Sequence, residues 1–179
     1  MNGVRLEDKK VRGSVVLGYL NFIKRTWGSD GLEECTDSIG LPMKHFEEIQ
    51  WYNIDILKKI HQWIADEKGE KYIKRGGNYT VKDLGVLSYI VKFVNIKALL
   101  KKAPKSYEDA YNFGSVEIDI KDKKAIIKME DVSFDEYACS GWLGAFEGML
   151  EMTHTWGEVK EVQCQYKGAS YCEFEMTWK

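Results

Sequence analysis

The chain has 179 residues, 44% of them hydrophobic and 30% charged, enough apolar material for one full core and too short for two, so a single domain over 1–179 is expected and a disordered chain is excluded. With 26 basic and 28 acidic residues the net charge is -2, which gives no global field to draw in nucleic acid or an anionic membrane. No stretch approaches the roughly 20 apolar residues of a membrane helix, and the opening MNGVRLEDKKVRG lacks the apolar run of a signal peptide. Four cysteines without an export signal point to reduced thiols or metal ligands rather than a disulfide framework, and the expected location is the cytoplasm.

In chain order, residues 1–12 are polar and read as a tail or edge segment. Ser14 is placed to cap a helix over 14–27, with Val16, Leu20, Ile23 and Trp27 on one face and Gly28 ending it. A second helix over 32–38 stops near Gly40 and Pro42, and 43–50 reads as a short helix or loop. Asn53 looks like the cap of a longer helix ending at Gly69, with Ile54, Leu57, Ile60, His61 and Ile64 on its buried side. A lone histidine on such a stripe is read as a satisfied core residue. Gly76 and Gly77 mark a break with no phosphate-loop context, since no Gly-Lys-Ser/Thr ending follows. Thr80 and Asp83 then form a capping pair for a helix to about residue 102, with Leu84, Leu87, Val91 and Val94 inward and Pro104 preventing continuation.

From Ser115 the period changes to two. Val116, Ile118 and Ile120 alternate with charged residues, Asp122 and Lys123 turn the chain, and 125–129 returns as a strand. Ser133 with Glu136 opens a helix over 133–152 whose broad apolar side holds Cys139, Trp142, Leu143, Phe146, Met149 and Leu150. Beside it runs a strip of Gly141, Gly144, Ala145 and Gly148. Each helical glycine costs about 1 kcal/mol relative to alanine, so the strip implies close packing of a sheet, a partner helix or a ligand. A last hairpin, VKEVQCQYKGASYCEFEMTW over 159–178, closes the sheet around a Lys-Gly-Ala-Ser turn. The resulting class is α+β: a helical part, 1–112, packed on a roughly four-stranded antiparallel sheet, 113–179.

The final hairpin carries chemistry. Pairing would bring Cys164 and Cys172 to opposite or nearly opposite positions, and with Glu161 and the helix residue Cys139 they could form a four-ligand set; thiolates with one carboxylate suit zinc. Strand alternation puts Glu161 and Cys164 on opposite faces, so both can bind only if the strand begins late or bulges. Glu158 and Cys35 are the substitutes, and the competing reading makes the cysteines small buried hydrophobes.

The pattern Glu161-x-x-Cys164, then Cys172, with Gly168 before and Phe174 after it, resembles the signature of the 4-vinyl reductase (V4R) domain. That resemblance implies a metal site completed by a cysteine on the preceding helix, here Cys139. VRGSVVLGYLNFIKRTWGSDGL resembles the opening of haem nitric-oxide-binding domains, which share a ligand-binding superfamily with the TRAPP vesicle-tethering subunits. Together these resemblances imply a structural zinc held by Cys139, Glu161, Cys164 and Cys172, a homodimer, and a small hydrophobic ligand held by Trp142, Phe146 and Met149 between the 133–152 helix and the N-terminal helices. Haem is set aside, because 86–113 contains neither the histidine nor the Tyr-x-Ser-x-Arg motif of the haem-binding relatives. No nucleophile with a base, nucleotide loop or acid pair with a histidine is present, so the expected function is a non-enzymatic sensor or adaptor. The alternatives are a dimeric scaffold without a ligand and, behind it, a haem-based gas sensor.

Overall fold

The structure is a computed structural model that describes residues 5–83 and 95–179. Its first helix, α1, spans Gly13–Ile39 and bends at Gly28, where φ is 77° and the helix is interrupted. The expected stop at Gly28 is thus a kink, after which the chain re-enters the helix at once. Val15, Val16, Tyr19, Leu20 and Ile23 bury one side. At the far end Gly40 takes a left-handed φ of 79° and its N–H bonds the Thr36 and Asp37 carbonyls, closing the last turn. Ser14 does not cap α1; its backbone N–H bonds the Glu48 carbonyl instead.

The polar opening is a strand. β1, Lys10–Arg12, pairs antiparallel with β2, Trp51–Asn53, in a two-stranded sheet that three-residue strands leave without a readable alternation. Next comes α2, Asp55–Lys68, with Asn53 accepting the Asp55 N–H one turn position earlier than a standard cap. α3, Lys71–Lys82, runs straight through Gly76 and Gly77, so the expected break is absent and Thr80 is a buried mid-helix residue rather than a cap. Leu84, Leu87, Val91 and Val94 lie outside the described residues. α4, Ile96–Ala110, starts at Asn95, whose side chain accepts the Ala98 N–H at 3.0 Å, and it continues past Pro104. Proline removes one backbone donor, and Leu100, Ala103 and Tyr107, buried on both sides of it, hold the helix together.

The second half follows the expected order. β3, Ser115–Lys121, and β4, Lys124–Glu130, form a hairpin; β5, Gly157–Gln163, and β6, Cys172–Trp178, complete an antiparallel sheet in the order β3-β4-β6-β5. The fold is α+β. Ala125, Ile127 and Met129 of β4 and Cys172, Phe174, Met176 and Trp178 of β6 point to one buried face. Between the two hairpins lies α5, Ala138–Met152. It begins later than the Ser133 box predicts, because the Asp135 carboxylate takes the Tyr137 N–H at 2.9 Å.

The glycine strip on α5 packs against α3. Added side-chain carbons would overlap the Lys74 carbonyl at Gly144 and the Gly141 carbonyl at Gly77, and at Gly148 would sit 2.9 Å from the Asn78 carbonyl. Gly77 and Gly144 therefore let the two backbones touch, while Gly76 makes room for the Tyr19 ring of α1, and these contacts keep the pair helical despite its propensity. Gly144→Ala is expected to cost about 1–3 kcal/mol by overpacking, read as a lower midpoint in urea denaturation followed by circular dichroism. A change below about 0.5 kcal/mol, the usual range for surface substitutions, would show that the helices part freely.

Candidate functional site

Packing α5 against α3 leaves an apolar cavity of about 130 Å³ between α1, α2, α3, α4 and α5. Trp142, Phe146 and Met149, the three expected ligand-binding residues, all line it. Phe146 is braced from behind by Phe174 of β6, with ring centres 5.2 Å apart. The wall also includes Tyr19, His61, Thr80, Tyr107 and Tyr111, which the sequence pattern does not single out as ligand-facing. Thr80 gives no usable signal, since its spacing to Asp83 mimics a cap. His61 gives one: an imidazole on an otherwise aliphatic stripe.

His61 is satisfied on one side only. Its Nδ1 lies 2.9 Å from the Asp135 carboxylate, while Nε2 is buried and has no partner among the described residues. With Nδ1–H donating to Asp135, Nε2 keeps a bare lone pair at the cavity wall. Tyr19 packs edge-on against the ring at 5.0 Å and Phe134 stacks at 5.7 Å, so the imidazole is fixed in place. The Thr80 hydroxyl and the Trp142 indole N–H are likewise buried without partners among the described residues. An unpaired buried polar atom costs about 1–3 kcal/mol, and three of them on one apolar wall form a set that a bound group would satisfy. Burial pushes the Tyr19, Tyr107 and Tyr111 phenols up, with the Asp135 charge adding to the effect on Tyr19 and Tyr111; these hydroxyls stay neutral donors.

A second cluster lies behind α5. The Cys139 sulfur is 3.1 Å from that of Cys164 and 3.2 Å from that of Cys172, and all three residues are buried. The two hairpin cysteines do not face each other across the ladder: Cys172 pairs with Met129 of β4, and Cys164 follows the end of β5. They meet through Cys139. The bulge needed to bring Glu161 to the same place is present as a register shift between Glu161 and Gln163. One Glu161 oxygen accepts the Lys167 ammonium at 2.9 Å, and the other is buried without a partner of normal geometry among the described residues. Burial works against Glu161 ionisation, yet the Lys167 bond and the nearby Cys139 and Cys164 thiols outweigh it and leave the carboxyl below its ordinary pKa. The bond from Cys139 pulls Cys172 down to about 7, helped by the Gln165 backbone N–H at 3.3 Å, and Cys139 is pushed up in return. The two substitutes drop out. Cys35 sits in the core of α1, where burial alone raises it to about 12, and Glu158 is exposed and bonded to Lys160.

No protein-family model and no curated protein sequence matches this chain. Solved structures do. An oxygen-binding H-NOX domain related to soluble guanylate cyclases superimposes with a TM-score of 0.75 at 14% identity, covering 94% of this chain and 95% of that one. An H-NOX protein from S. oneidensis in its Fe(II)NO state gives 0.75 at 12% identity, over 94% and 99% of the two chains. A structure from work on haem distortion in the H-NOX family gives 0.75 at 13% identity, over 94% and 95%. The fold is the H-NOX fold.

These likenesses correct three expectations. The resemblance to V4R domains and TRAPP subunits rested on a motif in the last third of the chain, whereas the H-NOX superposition follows nearly the whole backbone. The function inferred from that motif, a sensor of a non-haem hydrophobic ligand with a structural zinc, is displaced with it. The cofactor expectation changes too: zinc was argued from the cysteine pattern and haem was set aside on absent motifs, and the descriptions of two neighbours name haem. No helix among the described residues is long and apolar enough to cross a membrane.

The Asp135 carboxylate serves both His61 and the start of α5. Asp135→Ala should therefore leave two donors unpaired and lower stability by about 1–3 kcal/mol, measurable as a shift in the urea midpoint. An unchanged midpoint would mean that neither bond matters in solution.

Proposed function

We propose that this chain is a haem-based sensor domain for a small gaseous ligand, with the haem in the cavity beneath α5 and His61 as the residue that ligates its iron. The observation that carries this reading is the unpaired Nε2 of a buried imidazole that lines an apolar cavity and is backed by a carboxylate. Histidine is a common protein ligand of haem iron, and a carboxylate on the far nitrogen fixes the tautomer and the ring orientation. The H-NOX architecture supports the same reading, since its described members bind oxygen or nitric oxide.

The residues fit the group in donor chemistry and in wall composition. Aromatic and aliphatic side chains make up most of the cavity wall, with Gly77, Gly141 and Ala145 as small residues among them. The free space of about 130 Å³ is below the roughly 300–1,000 Å³ of ordinary ligand sites, so seating a macrocycle displaces wall side chains. When bound, the haem supplies an iron with an open position for a diatomic gas. The chain's part is to hold His61 in one tautomer through Asp135, to exclude water with the Phe134, Phe146 and Met149 side chains, and to offer the Thr80 hydroxyl as a hydrogen-bonding group inside the cavity. These are the tasks of a binding site and not of a catalyst.

Titrating the protein with haemin, followed by difference absorption in the Soret region, tests the proposal. One equivalent per chain should saturate a sharp band, and His61→Ala should weaken binding at least tenfold or change the spectrum to that of a differently ligated iron. A featureless titration, or a His61→Ala spectrum identical to that of the parent, would overturn it.

A further inference from the structure

We propose that two copies of this chain pair edge to edge through β5, joining their four-stranded sheets into one continuous antiparallel sheet. Two observations point there. β5 is an outer strand, bonded to β6 alone in the order β3-β4-β6-β5, and an outer strand leaves a row of backbone donors and acceptors open to another chain. Of the four large apolar side chains that stand exposed among the described residues, three lie on or beside it: Trp156 just before β5, at 84% exposure, Val162 within it, and Tyr166 shortly after it. The opposite edge shows nothing comparable, since Val116, Ile118 and Ile120 of β3 are partly buried against the core.

The ladder decides which registers are open. The Lys179 N–H bonds the Trp156 carbonyl at 3.0 Å, and β5 pairs Glu158 with Thr177 and Lys160 with Glu175. Hydrogen-bonded pairs alternate along an antiparallel ladder, so Trp156, Glu158 and Lys160 turn their backbone groups to β6, while Gly157, Val159 and Glu161 turn theirs outward. A second copy bonds through that same outward set, about a two-fold axis near the middle of the stretch, at Glu158, Val159 or Lys160. An axis at Glu158 sets two carboxylates face to face, and one at Lys160 sets two ammonium groups face to face; like charges directly opposite are destabilising. An axis at Val159 instead sets Glu158 opposite Lys160 of the copy twice over, extending the Lys160–Glu158 bond of 2.8 Å within each strand into a ring of alternating charge. The same register brings Trp156 opposite Val162 of the copy, the residue that the bulge between Glu161 and Gln163 leaves outside the β6 ladder. One register thus satisfies the exposed charges and the exposed apolar groups with the chain's own sequence, which makes a second copy the occupant. A lysine and a bulge blunt an edge against indiscriminate pairing; here both have a counterpart across the axis.

The test measures the mass of the full chain by sedimentation velocity over a concentration series that reaches the millimolar range. Expected is a reversible rise from one chain to two. Glu158→Lys and Lys160→Glu each put like charges opposite and should weaken the dimer about tenfold, and the double reversal should restore it. Trp156→Ala, which strips the apolar contact, should weaken it about tenfold as well. All three residues are exposed, and unaltered circular dichroism separates a lost contact from a lost fold. A parent that remains one chain throughout overturns the proposal and leaves the edge to a strand of another protein. A dimer that survives both single reversals lies elsewhere on the surface and overturns it too, and loss in the single variants without recovery in the double one overturns the register centred on Val159.

Discussion

The backbone-to-backbone crossing of α3 and α5 is the constraint on which the rest of the molecule depends. Gly77 lies on the Gly141 carbonyl and Gly144 on the Lys74 carbonyl, with no space for a side-chain carbon at either point. Glycines reduce helix propensity by about 1 kcal/mol each, and the closeness they permit is recovered as packing along two helices. The crossing also fixes the rotation of α5 about its axis. With the glycine strip turned to α3, the adjoining side can only face the cavity, and the first turn must bring Cys139 over the β5–β6 hairpin.

That geometry explains the distribution of unpaired polar atoms. Of the five buried side-chain atoms without a partner among the described residues, three belong to cavity residues, His61, Thr80 and Trp142, one to Glu161 beside the thiols, and one to Ser133 ahead of α5. Native interiors tolerate few such atoms. Four of the five thus lie at two places, one on each side of α5. Charge separates the two sites chemically. The cavity offers an imidazole with one unbonded nitrogen among neutral phenols and hydrocarbon, and the thiol cluster offers a carboxylate and a cysteine drawn down to about 7 by its neighbours.

The α+β class and the four-stranded sheet were legible because period-two alternation over 115–130 and 159–178 is local and strong. The elements of the first half were less so. Gly28, Gly76, Gly77 and Pro104 carry strong breaker signals, yet the chain remains helical through Gly76, Gly77 and Pro104, because tertiary contacts with α1, α5 and the core outweigh local preference. β1 and β2 are too short to show a period. Within the site, Trp142, Phe146 and Met149 could be placed on one helical face by spacing alone, but the other walls come from α1, α2, α3, α4, Val116 of β3, Met129 of β4 and Phe134, and no spacing rule links residues so far apart in the chain. The family resemblance misled for a related reason: a short cysteine motif records one hairpin, whereas the H-NOX likeness records how every helix and strand is arranged.

If α5 is a wall of the haem cavity, its backbone should respond to haem. Hydrogen–deuterium exchange followed by mass spectrometry, on peptides covering 138–152, measures this directly for the protein before and after treatment with haemin. The account predicts slowed exchange in that helix with haemin, strongest toward residues 142–149. Protection confined to surface segments, with 138–152 unchanged, would contradict it.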